Sequence, residues 1–319
     1  MAHTSSIEQA ITLLKQDQLV AIPTETVYGL AANAFSDTAV EKIYQTKNRP
    51  ANNPLIVHIA SKEQLATLAI NIPEMAFKLA DHFWPGPLTL VLEKAPHISD
   101  KITAGKETVA VRMPNHELTL TLLRKLDFPL VAPSANRSNH ISPTRPEHVQ
   151  NSLGDKTPFI LDGGPCSKGI ESTILGFEDG KPRIYRMGTI SKKEIEDVLQ
   201  CPVEVIKAKD TSVITPGMFK KHYSPTTPFL ATNNVAKAME AHAEKKLGII
   251  YFSSPPGDDT RFQYRTLSLQ GDFLEAAANL YGVMHELDGI DLELIIAELL
   301  PDEGVGASVN DRLKRASSK

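Results

Sequence analysis

The chain has 319 residues, 41% hydrophobic and 23% charged, with a net charge of −4. This length suits two domains, and the balance of residues is that of a folded globular protein. The charge gives no overall footprint for nucleic acid, so any RNA contact would need a local basic patch.

At the N-terminus, Ser5 or Ser6 can cap a helix running to about Lys15, with Ile7, Ala10, Ile11 and Leu14 on one face. The segment lacks the basic start and unbroken apolar run of a secretion signal. No apolar run approaches the roughly 18 residues of a membrane span, so a cytoplasmic protein with no membrane contact is expected. Residues 19–23 form a short strand, and AIPTETVYGLAANAF (21–35) starts as a strand and ends as a helix. Ser36 caps a helix over SDTAVEKIYQTK. There follow a strand over 54–60, helices in KEQLATLA and in IPEMAFKLADHFWP (stopped at Pro85), and strands over 87–94 and 108–114. HELTLTLLRKLD is a helix, and 129–135 a buried strand running into a polar loop. Strands over 159–164, 172–178 and 182–188 and the helix SKKEIEDVLQ close a first unit, 1–206.

Strands and helices alternate throughout, so the fold class is α/β with a twisted mixed sheet. Residues 207–228 are polar, with three prolines and little periodicity, and read as a linker or a functional loop. A second, smaller α/β unit, 229–319, contains the helix VAKAMEAHAEKK, strands in LGIIYFSS and RTLSL, and the helix FLEAAANLYGVMHELDG. GVGASV near the end reads as a turn.

Chemistry concentrates in the first unit. In KNRPANNPLIVHI, Lys47 and Arg49 stand two apart on an irregular segment ahead of a strand. Two fixed cations there suit a polyphosphate and charge building on a leaving group; a solvated basic turn is the plainer alternative. His58 is either a satisfied strand histidine or a partner for a carboxylate or hydroxyl. Arg112 ends an apolar strand, where ligands of open α/β sheets gather; it suits a carboxylate, or else points to water. Ser134, Asn136, Ser138 and Ser142 supply neutral donors after a buried strand, but no G-x-S-x-G elbow marks a nucleophile. Ser172 and Thr173 in GIEST and Arg186 in YRMG are weaker signals. LDGGPCSKG matches no phosphate-loop pattern. Cys166 and Cys201 lack CxxC spacing, which disfavours a disulfide framework or structural zinc. No metal-ligand cluster is visible, so a metal is expected only as Mg²⁺ carried by a nucleotide. This inventory suits orienting a phosphorylated substrate rather than attacking it covalently.

PTETVYGL, KNRPANNPLIVH, FWPGPLTLVL, VAVRMP, PLVAPSAN, GIESTI and RMGTIS, in that order, resemble the YrdC-like family. TPGMFKKHYSP and GVGASVNDRLKRAS resemble the linker and second domain of its long two-domain form, the threonylcarbamoyladenylate-forming synthases. The resemblance implies a YrdC-like first domain, a linker closing over the site, and a smaller Rossmann-like α/β second domain. It implies a nucleotidyltransferase that makes threonylcarbamoyl-AMP and pyrophosphate from L-threonine, bicarbonate and ATP. Downstream proteins would then move the threonylcarbamoyl group to the adenosine beside a tRNA anticodon.

By this resemblance the catalytic signature falls on Lys47, Arg49, Ser134 and Asn136. Threonine would be held by Thr26, His58, Arg112, Ala132 and Ser172. ATP would be held by Arg49, Asn53, Thr108, Ser134, Ser142, Arg186 and Tyr223, with Mg²⁺ on its phosphates. The implied reading leaves room for weak tRNA binding. Its rivals are a non-catalytic RNA- or nucleotide-binding module, disfavoured by the charge and the few aromatic platforms, and a transferase using carbamoyl phosphate instead of bicarbonate.

Overall fold

The computed structural model describes residues 2–206, 222–253 and 259–318. Its larger sheet contains β1 (Val20–Ile22), β2 (Gly29–Asn33), β3 (Ile56–His58), β4 (Leu88–Glu93), β5 (Thr108–Arg112), β6 (Leu130–Val131), β7 (Phe159–Ile160), β8 (Thr173–Glu178), β9 (Lys181–Arg186) and β10 (Glu204–Val205). They lie in the order β10-β9-β8-β4-β5-β3-β6-β2-β1-β7. Pairing is mixed: β3–β5 and β4–β8 are parallel, whereas β4–β5, β3–β6 and β8–β9 are antiparallel.

The strands are short and apolar because both sheet faces are covered. Along β1 and β2 alternate residues enter different cores. Val20, Ile22 and Ala31 pack with Ile7, Leu14 and Leu122. Ala21, Leu30 and Ala32 pack with Val40, Ile43 and Leu79. The helices Ala2–Lys15 and Glu117–Lys125 therefore contribute to one core, and Asp37–Lys47 and Glu74–Phe83 to the other.

The structure corrects three local expectations. The segment after PTETVY is not a helix: Gly29–Asn33 is β2, antiparallel to both β1 and β6. Pairing on both edges overrides the helical preference of its alanines and leucine. Within the stretch after β6, Pro146–Leu153 is a helix with proline in its first turn, where the missing N–H costs nothing. GVGASV is no turn; it opens the helix Gly304–Ala316.

The second sheet holds β11 (Phe229–Thr232), β12 (Leu247–Tyr251), β13 (Gln263–Thr266) and β14 (Leu294–Glu298), all parallel, in the order β11-β14-β12-β13. Its helices Phe273–Asp288 and Gly304–Ala316 share a core with Val27, Ile141, Ile170 and Tyr223 from outside that sheet. Of the expected linker, residues 207–221 lie outside the described residues, while His222 and Tyr223 are both buried. No described helix is long and apolar enough to cross a membrane.

Candidate active site

The chain passes from β1 to β2 through a turn built by hydroxyls. Thr24 Oγ1 accepts from the Thr26 and Val27 N–H groups (both 3.2 Å) and donates to the Val27 carbonyl (2.6 Å). This local bonding lets a threonine side chain replace the backbone ladder where the chain turns. Thr26 Oγ1, thereby fixed, accepts from Arg112 Nη1 at 2.9 Å. Arg112 ends β5, and its register with β3 sets it beside His58. Its Nη2 lies 2.7 Å from Glu25 Oε1, with both side chains 5% exposed. The contact is electrostatic, since neither Glu25 oxygen accepts a well-directed hydrogen bond from a described residue.

A second cationic group forms where the helix Asp37–Lys47 ends. Ser36 accepts from Ala39 N–H at its start, and Asn48 turns left-handed (φ 50°) at its end. That reversal lays Arg49 over the next loop. Its Nε donates to the Asn53 carbonyl (3.1 Å), and its Nη2 to Asn53 Oδ1 (2.6 Å) and the Pro54 carbonyl (2.8 Å). Desolvation, opposed by Tyr44 and helped by Arg186, brings Arg49 down to about 10, so it stays charged at neutral pH. Arg186 ends β9; its Nε donates to the Ser172 carbonyl and its Nη2 to Ser172 Oγ, both at 3.1 Å.

Thr26, Arg49, His58, Arg112, Ala132 and Ser134 line one narrow cavity of about 50 Å³, together with Ser172, Arg186 and Tyr223. Three expected residues stand directly behind its wall. Buried Lys47 donates to the Ser134 and Asn136 carbonyls, both at 2.5 Å, and so fastens the turn that presents Ser134. Asn136 donates to the Arg137 and His140 carbonyls. Asn53 braces Arg49. Ser142 reaches the wall through Glu171, to which its Oγ donates at 2.7 Å. Thr108, at the start of β5, is not among the lining residues.

Glu171, His222, Val27, Ile56 and Pro133 also line the cavity and were missed. Glu171 sits inside GIEST, where the hydroxyls drew attention; a carboxylate at a strand start beside them was the available signal. A larger open cleft of about 840 Å³ runs between the helices Pro146–Leu153 and Phe273–Asp288, but its charges are mixed: Arg137 and Arg145 with Glu147, Glu286 and Asp288. Convergent cations and hydroxyls mark the smaller cavity instead.

The field of this cavity is positive. Burial pushes His58 down to about 3, and Arg112 adds to the effect. Burial also takes His222 to about 3, with Glu171 opposing and Arg49, Lys47 and Arg186 assisting. His148, stacked on His285 at 3.9 Å, is likewise near 3, chiefly through burial. Each of these folded-state values lies below that of the unfolded histidine, so the unfolded chain takes up protons first as pH falls. Stability is therefore full above about pH 6.5 and declines toward pH 3. Urea unfolding at pH 7 and 5.5 should differ by roughly 1 kcal/mol per histidine, about 3–4 kcal/mol in all. A difference under about 1 kcal/mol would show that these imidazoles are not buried as neutral groups.

The fold and site define an α/β protein whose mixed sheet carries a narrow cavity lined by Arg49, Arg112 and Arg186 together with hydroxyls. A family model described as telomere recombination, covering Sua5, YciO and YrdC, matches residues 12–188. One described as threonylcarbamoyl-AMP synthase, C-terminal domain, matches residues 190–318. The chain belongs to the Sua5/YciO/YrdC family. It is 40% identical over 321 residues to the threonylcarbamoyl-AMP synthase of Bacillus subtilis, covering 98% of this chain and 92% of that one. It is 39% identical to the Pyrococcus abyssi threonylcarbamoyl-AMP synthase, with 98% and 94% covered. The crystal structure of P. abyssi Sua5 complexed with L-threonine superposes with a TM-score of 0.88 at 40% identity, over 98% of this chain and 94% of that one.

Proposed function

We propose that the chain forms threonylcarbamoyl-AMP and pyrophosphate from L-threonine, bicarbonate and ATP. One observation carries this reading: a single cavity joins an Arg49–Arg186 group to an Arg112–Thr26–His58 group. The first group suits a triphosphate, and the second an amino acid with a carboxylate and a hydroxyl. The names of the relatives over nearly the whole chain, and the threonine bound by P. abyssi Sua5, support the same chemistry here.

In this reaction the threonine amine adds to bicarbonate, losing water to give a carbamate. A carbamate oxygen then attacks the α-phosphorus, and pyrophosphate leaves. The chain's part is orientation and charge. Arg112 and Thr26 take the carboxylate and hydroxyl end, neutral His58 accepts or donates one hydrogen bond, and Arg49 and Arg186 stabilise the leaving pyrophosphate. Lys47 keeps the turn that presents Ser134 in place; burial, with Arg49 alongside, holds its own pKa well below the ordinary ammonium value, so its part is positional.

Among the described residues no group of three or more His, Cys, Asp or Glu could hold a metal. The lining carboxylate Glu171 is already engaged by Ser142, Tyr281 and Arg312. That donor set fits a magnesium ion arriving on the nucleotide phosphates, where it would neutralise charge. The product would pass to proteins that modify tRNA, in a cytoplasm whose reducing conditions suit the two free cysteines.

Pyrophosphate release from ATP, with L-threonine and bicarbonate omitted in turn, tests the reading. Release is expected only when both are present. Release that persists without threonine would mean a different acceptor, and binding without any release would favour a nucleotide- or RNA-binding module.

A further inference from the structure

Several first-domain segments that build the nucleotide side of the cavity are gripped by the second domain. The helix Phe273–Asp288 comes so close to Gly169 (φ 72°) that a Cβ there would sit 2.4 Å from the Ala277 carbonyl oxygen. From this helix the Tyr281 hydroxyl donates to Glu171 (3.0 Å to Oε2), and His285 Nε2 lies 3.1 Å from the Ser142 carbonyl. From the helix Gly304–Ala316, fully buried Arg312 donates through Nε to Glu171 Oε2 (3.3 Å) and through Nη1 to the Met187 carbonyl (2.6 Å). Its Cζ lies 5.6 Å from the centre of the Tyr223 ring, and Ser308 Oγ donates to the Gly188 carbonyl at 2.8 Å.

The amino-acid side is bonded differently. Thr26 bonds Thr24 and Arg112, His58 the Ile56 carbonyl, and Arg112 the Gly86 carbonyl and Glu25, all within the first domain. Ser172 touches both halves, accepting from Arg186 and lying 2.7 Å from Thr89 Oγ1, and these bonds too stay within the first domain.

We propose that Arg312 and Tyr281 are positioning residues for the nucleotide half of the site, so that the second domain sets ATP affinity and leaves the amino-acid half to the first domain. The inference rests on the assignment of the Arg49–Arg186 side to the triphosphate. Its logic is electrostatic as well as geometric. Glu171 lines the cavity close to Arg186, and an uncompensated carboxylate there would repel the phosphates. Arg312 neutralises Glu171 from behind, while its bond to the Met187 carbonyl holds the chain next to Arg186. The same guanidinium lies near the face of Tyr223, which lines the cavity.

Three variants test this: Tyr281→Phe, Arg312→Lys and Arg312→Met, each checked for cooperative unfolding and assayed for the KM of ATP and of L-threonine. Tyr281→Phe keeps the ring packing and removes one hydrogen bond to a charged group, so the ATP KM should rise about tenfold. Arg312→Met should raise it about 100-fold, with Arg312→Lys in between because it restores charge without the fork. The KM for L-threonine should stay within about twofold in all three, given the separate bonding of that half. Calorimetric titration with Mg-ATP in the absence of threonine reads the same shift in Kd, and would support the coupling even if the reaction assigned above proved wrong. Parallel rises in both KM values, or a Tyr281→Phe protein with unchanged ATP Kd, would overturn the proposal.

Discussion

Arg49→Ala is expected to slow pyrophosphate release by about 10²–10³-fold, a loss of roughly 3–4 kcal/mol of transition-state stabilisation, comparable to deleting an oxyanion donor. The size follows from how the guanidinium is held. Three hydrogen bonds to Asn53 and Pro54 fix its plane before any ligand arrives, so little reorganisation remains at the moment charge moves to the leaving group. It also works beside a second cation, Arg186. Arg49→Lys should recover only a small part of the rate, because an ammonium cannot reach the Asn53 carbonyl, Asn53 Oδ1 and Pro54 carbonyl in one plane. Single-turnover release at saturating ATP and threonine separates this from weaker binding. A rate within about fivefold of the unmodified protein would remove Arg49 from the transition state.

Much of this site was legible because its residues cluster in short, chemically unusual segments. Lys47 and Arg49 flank a helix end that Ser36 opens, and both ends of that helix follow rules visible in the sequence. Arg112 could be placed at a strand end because TVAVR is apolar up to the charge. The parts that stayed hidden depend on partners far along the chain. Gly29–Asn33 became a strand because β1 and β6 flank it, and nothing within five residues says so. Glu171 acquires its role from Ser142, Tyr281 and Arg312, which lie 29, 110 and 141 positions away. Arg312 stands in GVGASVNDRLKRAS with nothing beside it in the sequence to set it apart from Lys314 and Arg315, yet it is fully buried. Burial of a charge is a property of the assembled domains, and local pattern carries no trace of it.

The carboxylate left unexplained by the sequence, Glu25, should have the second large effect, on stability rather than on rate. It is 4% exposed and its only described ionic partner is Arg112. Glu25→Gln keeps the shape and removes the charge, leaving Arg112 buried without compensation. Breaking such a pair costs about 3–5 kcal/mol, a large share of the roughly 5–15 kcal/mol that keeps a typical protein folded. The same substitution makes Arg112 hungrier for an anion. A threonine carboxylate would supply the missing charge, so added L-threonine should raise the unfolding midpoint of Glu25→Gln more than that of the unmodified protein. L-threoninol, which keeps the amine and hydroxyl but has no carboxylate, should restore almost nothing. Equal recovery with both compounds would mean that Arg112 does not receive the carboxylate. A Glu25→Gln protein within about 1 kcal/mol of the parent would mean that the ion pair contributes little to the fold, well short of what breaking a buried pair costs. With the expected outcome, Glu25 stands in for the substrate: it holds Arg112 in place until an amino acid arrives with a carboxylate of its own.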